Sequence, residues 1–416
     1  MRTLTSRSVL ASILLLSLTA RSEEPLVFET KQLADHIYEL STDAGGYPVK
    51  VIASVGDDGV LLVDTGEKEK IDDLKAAVLA FGKGVPRIII STHAHVEHIG
   101  GNATFGGDAV IIGHENLRKR LRTGLYLFDE FPEEALPDIC LTDSLSLYFN
   151  GEQIKVHAFP GAHDDSDLII WFTTSKVVCV AGLCNGRHFP SVDKVGGDVL
   201  EYPETVQRVI DLLPEDVTIV PGHGEDGTIE DYRAFHAMLV ATTDLVRKGI
   251  EAGKDRDTLI KEDVLHDWKA WEASYVSADQ WIEYLAEGIT GVDRKPMVFE
   301  PIYYAIRDLG APAAVLYYHD LKKNKADEYA FDENDLVYIG YKLFKNDRVE
   351  ESIPFLEASL KESPKGTYAY LCHDYLGRWH TTQGDTARAI RAYERSLKLN
   401  PENTHAADML KELKKK

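Results

Sequence analysis

The chain has 416 residues, 44% hydrophobic and 9% aromatic, enough for two or three domains with full cores. Its 46 basic and 68 acidic residues give a formal net charge of -22. Such acidity argues against nucleic-acid binding, which needs a basic face. It also means that an anionic substrate needs a metal or a local basic patch to attract it.

In chain order, the first segment reads as a secretory signal. Arg2 and Arg7 supply positive charge, Val9–Leu18 is apolar, and Ala20-Arg21-Ser22 fits the small-x-small cleavage rule. The apolar run is too short for a span of about 20 residues. Cleavage near Ser22 is therefore expected, leaving no integral membrane segment and a periplasmic or secreted protein. No cysteine follows to carry a lipid.

Short strand-like runs come next at Val27–Thr30, His36–Leu40, Val49–Ala53 and Gly59–Asp64, separated by turns such as Asp57-Asp58-Gly59. Lys68–Phe81 is expected to be a helix, with Leu74, Val78 and Phe81 on one face. A strand at Arg87–Ser91 leads into Thr92-His93-Ala94-His95-Val96-Glu97-His98-Ile99-Gly100-Gly101. Ala109–Ile112 reads as a strand and Glu115–Leu121 as a helix. Residues 123–143 are irregular, broken by Pro132 and Pro137 and rich in aromatics (Tyr126, Phe128, Phe131). They fit a loop over a site or an ordinary connection. Strands resume at Ser144–Phe149, Gln153–Ala158, Leu168–Phe172 and Val177–Ala181, then a helix at Glu204–Leu213 and a strand at Val217–Val220. This order predicts two β-rich halves with helices packed outside rather than simple βαβ alternation.

From Ile229 to about 290 the pattern is helical and charged, and from about 300 it is helical to the end. Here an offset of 37 residues maps Gly340 onto Gly377, Ser352-Ile353 onto Ala389-Ile390 and Pro364 onto Pro401. Gly377, Ala389, Tyr393 and Pro401 sit at tetratricopeptide-like spacing, and Ala305–Leu321 reads as a third helical pair. Such a module can bind a peptide or a partner, form a homodimer contact, or cap the preceding domain.

Four segments carry the chemistry. His93, His95, Glu97 and His98 crowd onto the loop after a strand. Gly161-Ala162-His163, Pro221-Gly222-His223-Gly224 and Val63-Asp64-Thr65-Gly66 also follow strands and are bounded by glycine. That shared position predicts convergence at one edge of the fold. Imidazole and carboxylate suit zinc, and a catalytic zinc keeps one position open. The four cysteines, Cys140, Cys179, Cys184 and Cys372, form no CxxC pair and are too few for a disulfide scaffold.

With these residues the chain resembles the metallo-β-lactamase superfamily over about residues 25 to 290. The resemblance implies an αββα sandwich with one or two Zn2+ at the sheet edge, followed by an all-α tetratricopeptide-like domain. The expected division is a signal at 1–22, a catalytic domain at 23–290 and a helical domain at 300–416. It also implies that His93, His95 and His163 hold the first zinc, that Glu97, His98 and His223 face the second, and that Asp64 supports the histidine loop. Two departures stand out. Glu97 replaces the usual aspartate, and Gly182-Leu183-Cys184-Asn185-Gly186-Arg187 lacks the usual bridging acid. Cys184 is a candidate substitute ligand, one residue out of register. His114 and Arg187 are candidate substrate or metal contacts, with loop-ordering and surface roles as the simpler alternatives.

The leading expectation is an exported zinc-dependent hydrolase of a small-molecule ester, thioester, lactone, lactam or sulfate ester. Zinc would lower the pKa of its bound water to ~7, and Glu97 would act as ligand or general base. The alternative is a catalytically weakened metal-binding domain that recruits a partner through its helical repeats. An iron-dependent oxidoreductase is a third reading, disfavoured by the imidazole-rich ligand set.

Overall fold

The computed structural model describes residues 28–43, 47–123, 131–193, 196–291 and 295–415. Residues 1–22, the expected signal, lie outside the described residues, as do Tyr126 and Phe128. The chain divides into two compact units, one within residues 26–297 and one within residues 298–416.

The first unit is built on two mixed sheets. The first has seven strands in sequence order: β1 (Glu29–Ala34), β2 (Ile37–Asp43), β3 (Pro48–Gly56), β4 (Gly59–Val63), β5 (Pro86–Ile90), β6 (Val110–His114) and β7 (Ile139–Leu141). Pairing is antiparallel from β1 to β4 and parallel from β4 to β7. The second sheet contains β8 (Ser144–Phe149), β9 (Glu152–Ala158), β10 (Leu168–Phe172), β11 (Val177–Ala181), β12 (Thr218–Pro221) and β13 (Gly227–Thr228), in the order β13-β12-β11-β10-β9-β8. Its β11–β12 pair is parallel and its other pairs are antiparallel.

The layers follow from where the apolar side chains go. Ile37, Ile52, Leu61, Val63, Ile90 and Ile112 from the first sheet pack against Ile154, Val156, Leu168, Ile170, Val177 and Val220 from the second. On the outer face of the first sheet, Val51, Leu62 and Ile89 meet Leu74 and Val78 of the helix Ile71–Ala80. On the outer face of the second, Ile169, Val178 and Val180 meet the helices Tyr202–Leu212, Ile229–Glu251 and Ala278–Thr290. Strands buried on both faces read as unbroken apolar runs, as in Val177-Val178-Cys179-Val180-Ala181 of β11. The result is the expected αββα sandwich.

Details differ from the sequence reading. The expected helix at Lys68–Phe81 begins as a 3-10 turn, Lys68–Lys70, before the α-helix starts at Ile71. Within the irregular stretch, Ile139–Leu141 is a strand on the sheet edge. The Ile111 N–H donates to the Asp138 carboxylate (2.9 Å) and anchors its start. Three residues are too few to leave a periodic signal. Phe131 and Leu136, also from this stretch, pack with Ala94 and Ile99 of the histidine loop. The helical segment after Ile229 is three elements, Ile229–Glu251, Arg256–Lys261 and Ala278–Thr290, with a 3-10 turn at His266–Trp271. Thr228 and Asp231 close a reciprocal capping box at its start.

The second unit is entirely helical among its described residues, with seven helices from Phe299–Leu309 to Thr404–Leu413. Its repeat is physical as well as textual. A Cβ on Gly340 would stand 2.8 Å from Leu356 Cδ2, and one on Gly377 would stand 2.6 Å from Tyr393 Cε1. Each glycine thus lets the second helix of its hairpin approach closely, at the same spacing in both copies. Among the described residues no helix is long and apolar enough to cross a membrane.

Candidate metal centre

Because β4 and β5 are parallel, their C-terminal ends open on the same edge, and the loops that leave them interlock. The Thr65 N–H donates to the His98 carbonyl (2.7 Å), and the Leu168 N–H donates to the Thr92 carbonyl (2.9 Å), tying the histidine loop to the second sheet. Gly101 permits the close approach, since a Cβ there would lie 2.7 Å from the Thr65 carbonyl oxygen.

Asp64 is the hub of this loop. It is 2% exposed and takes a left-handed backbone conformation (φ 65), which Asp tolerates better than most residues. Its carboxylate accepts from the Thr92 N–H (2.8 Å) and the Thr92 hydroxyl (2.8 Å), and pairs with His98 Nδ1 (2.8 Å). Asp64 therefore sets the loop and orients His98, as the resemblance implied. On the other side, Asp164 accepts from the Ala94 N–H (3.0 Å), and Asp167 accepts from the His163 N–H (3.1 Å). These buried carboxylates join the His93 and His163 loops.

The structure brings together all six residues expected to bind metal. The ligand atoms of His93, His95 and His163 lie within 4.8 Å of one another, as do those of Glu97, His98 and His223. The His93 and His98 rings, 4.3 Å apart between centroids, connect the two groups.

Each imidazole has one nitrogen engaged by the protein. His93 Nδ1 meets the Thr92 hydroxyl (2.8 Å), His163 Nδ1 the Ser191 carbonyl (2.9 Å) and His223 Nδ1 the Pro48 carbonyl (2.8 Å). His95 is turned the other way. Its Nε2 faces Asp193 (3.6 Å) and its Nδ1 faces Glu97 (3.6 Å). The opposite nitrogens of His93, His98 and His163, all Nε2, are buried and have no hydrogen-bond partner. Buried polar atoms are rarely left unpaired. Orphaned imidazole nitrogens converging at ligand spacing, with their far sides held by oxygens, fit a bound transition metal.

The electrostatics set His95 apart from the other rings. Burial and the neighbouring imidazoles push His93 well below its ordinary value, His163 to about 4 and His223 to about 3. These rings are thus neutral and free to ligate near pH 7. In His95 burial works in the same direction, but Asp193 and Glu97 outweigh it and raise the ring to about 9. Burial alone would raise Glu97, yet His95, His98 and His223 hold it down at about 2.

The remaining candidates lie elsewhere. Cys184 belongs to neither group. It is buried in the apolar core, with its thiol directed at the Gly186 carbonyl (3.9 Å), so a cysteine ligand is not formed. Neighbouring Leu183 is fully buried in the same core. His114 Nδ1 accepts from the Asn116 N–H (3.1 Å) and orders the start of the helix Glu115–Thr123. The Arg187 guanidinium lies over the Trp271 ring, 5.7 Å from its centroid.

Sequence reasoning missed Asp193 and Arg120. Asp193 is nearly buried, and Arg120 holds it at 3.4 Å while also pairing with Asp165 at 2.8 Å. Neither lies in a glycine-bounded strand-end motif, which was the signal that found the others.

The chain therefore contains a two-sheet αββα domain with a histidine-lined candidate metal centre on its edge. Residues 44–223 match the family model of the metallo-beta-lactamase superfamily, and residues 370–403 match that of the tetratricopeptide repeat. The chain carries a metallo-beta-lactamase superfamily domain followed by a tetratricopeptide-like helical region.

It is similar to a hydroxyacylglutathione hydrolase of Anaeromyxobacter dehalogenans (strain 2CP-C), 29% identical over 42% of this chain and 59% of that protein. It is similar to a metallo-beta-lactamase type 2 of Bacteroides fragilis, 25% identical over 23% of this chain and 39% of that protein. The chain thus spans less than two thirds of the length of either relative. A solved metallo-beta-lactamase from Pontibacter korlensis aligns with 51% of this chain and 98% of its own, at 18% identity and a TM-score of 0.44.

Proposed function

We propose that this protein is an exported zinc-dependent hydrolase of a small molecule containing an ester, thioester, lactone, lactam or sulfate-ester bond. The observation that carries the reading is the convergence of orphaned histidine nitrogens beside an ionised carboxylate at the sheet edge. The relatives named hydrolase and beta-lactamase support the reaction class, though fold alone does not choose a substrate. Export to the periplasm or beyond is supported by the character of residues 1–22.

In this reading His93, His95 and His163 hold one zinc, and Glu97, His98 and His223 face a second. When bound, the metal would supply Lewis acidity and activate water. The chain's own residues do the rest. Asp193 and Asp64 fix the tautomers of His95 and His98, so that the correct nitrogen faces inward. Glu97, at about 2, remains a carboxylate throughout the physiological range. It stands between His95 (3.6 Å) and His223 (3.9 Å), placed to ligate or to accept a proton. The loop after β11, Gly182-Leu183-Cys184-Asn185-Gly186-Arg187, brings no bridging acid to the two groups, so a second zinc should bind more weakly than the first.

The test is the metal content of the chelator-free protein by elemental mass spectrometry, joined to a hydrolysis panel over the five bond classes. One or two zincs per chain with turnover of at least one class is expected. A protein that takes up no metal when zinc is supplied would refute the proposal.

A further inference from the structure

The second group draws its ligands from both sheets. Glu97 and His98 follow β5 of the first sheet, while His223 stands on the hairpin loop between β12 and β13 of the second. β13 has two residues. So short an edge strand is a weak anchor for a ligand that must be placed to within roughly 0.2 Å. The further hold on this loop comes from the first sheet.

Two ties reach the loop from β3. The Pro48 carbonyl pairs with His223 Nδ1 (2.8 Å). Two residues along the strand, the Lys50 ammonium donates to Oδ1 of Asp226 (2.6 Å), three residues past His223. Lys50 is 6% exposed, and the Asp226 side chain 9%. Glu39 of β2, also buried, stands 3.2 Å from the same ammonium. Lys31 of β1 reaches the other Asp226 oxygen from the solvent side. Burial works against a charge on Asp226, yet Lys50 and Lys31 hold its carboxyl below the ordinary value.

The position of these charges is informative. Ile37 and Ile52, two residues from Glu39 and Lys50 and therefore on the same sheet face, pack in the core between the sheets. An apolar filling there would stabilise the fold at least as well as an ion pair. What the ion pair adds is a fixed direction between β3 and the His223 loop. The first group has a separate tie, made by Asp164 and Asp167 between the His93 and His163 loops.

We propose that Asp226, held by Lys50, is a positioning residue for His223. It fixes the hairpin loop against β3 and so sets the metal affinity of the second group while leaving the first alone. The inference rests on the reading of that group as a metal site. By linkage, metal bound there tightens the Lys50–Asp226 contact in return.

The experiment loads the full-length protein with two equivalents of cobalt(II) and dialyses it against graded chelator. Visible absorption and elemental mass spectrometry read the loss of each equivalent. Asp226→Leu removes the acceptor but leaves Lys50 beside Glu39, so no isolated buried charge remains. It should hold the second equivalent about 10–100-fold more weakly, hold the first as wild type does, and melt near the wild-type temperature when metal-free. Asp226→Asn still accepts from Lys50 and should recover most of that loss. Lys31→Met removes only the exposed partner, which contributes little, and should behave as wild type. A second equivalent held as tightly by Asp226→Leu as by wild type would overturn the proposal. So would a loss shared equally by both equivalents, or a lower metal-free melting temperature in both Asp226 variants, either of which would make the pair a general prop of the sandwich. The readout is binding rather than turnover. A wild type that hydrolyses nothing therefore refutes the hydrolase reading alone, whereas one that holds a single equivalent at saturation refutes the second group and the Asp226 role together.

Discussion

The Asp193 carboxylate stands 3.6 Å from Nε2 of His95, on the far side of the ring from the Nδ1 that faces Glu97. This contact makes His95 present Nδ1 to the centre, where His93, His98 and His163 present Nε2. Arg120, itself 3% exposed, holds Asp193 in turn. Carboxylates behind ligating histidines typically contribute 10–100-fold to metal affinity. Asp193→Ala should therefore weaken zinc binding by about that factor, read by competition with a chromophoric chelator. An unchanged affinity would mean that the contact does not orient His95.

Gly182 gives a test that leaves charge and ligands untouched. A methyl group on it would collide with the His163 ring at 2.1 Å from Cδ2, and that ring is held on its Nδ1 side by the Ser191 carbonyl (2.9 Å). Gly182→Ala should displace His163 and lower zinc occupancy of the first group. Overpacking of this kind costs ~1–3 kcal/mol, so thermal denaturation with and without chelator should show a smaller stabilisation by metal than in wild type. Equal stabilisation would mean that the ring is free to shift.

Glu97 is held ionised by three histidines. Glu97→Gln keeps the volume and removes the charge, so hydrolysis should fall by about 10²–10⁴ if the carboxylate handles a proton. The triad of His93, His95 and His163 is left intact, so one zinc per chain should remain. Loss of all metal in Glu97→Gln, measured by elemental mass spectrometry, would show instead that the two groups bind as one.

A pH effect is expected in the helical unit, far from any ligand question. Burial pushes Asp335 up from 3.8 to about 7, against the hydrogen bonds that the Asp332 N–H and the Tyr318 hydroxyl donate to it. The Tyr318 hydroxyl (3.2 Å) and the Asp332 N–H (2.9 Å) donate to its Oδ2, while Oδ1 is buried without a partner. The unfolded chain releases this proton near 3.8 and the folded chain near 7. Between these values the folded state holds more protons, so stability falls as pH rises and levels off above about 7. Asp335→Asn should flatten that slope. Melting curves of wild type and variant at pH 5 and pH 8 would show it, and identical slopes would refute it.

The six residues of the two groups were legible because they follow strands and stand close to glycines, as in Gly161-Ala162-His163 and Pro221-Gly222-His223-Gly224, with Glu97 and His98 in the short helix Val96–Ile99 just after the loop. A ligand needs a short polar residue on a constrained turn, and that constraint is written locally. Asp193 and Arg120 carry no such mark. Their role depends on a pairing across 73 residues, and any surface Asp or Arg reads the same way. Cys184 was misleading for the complementary reason. Its residue type suits zinc, but the turn after β11 sends its side chain into the apolar core.

The apolar strands, the glycine-bounded histidine segments and the 37-residue helical repeat can all be read along the chain. Each of these depends on spacing along the chain, which hydrophobic period and turn chemistry fix locally. Which nitrogen of each histidine faces the centre, and which carboxylates stand behind the rings, is set by folding. Those outcomes depend on contacts between residues far apart in sequence, chosen when two sheets close on a common core and every buried polar atom must find a partner.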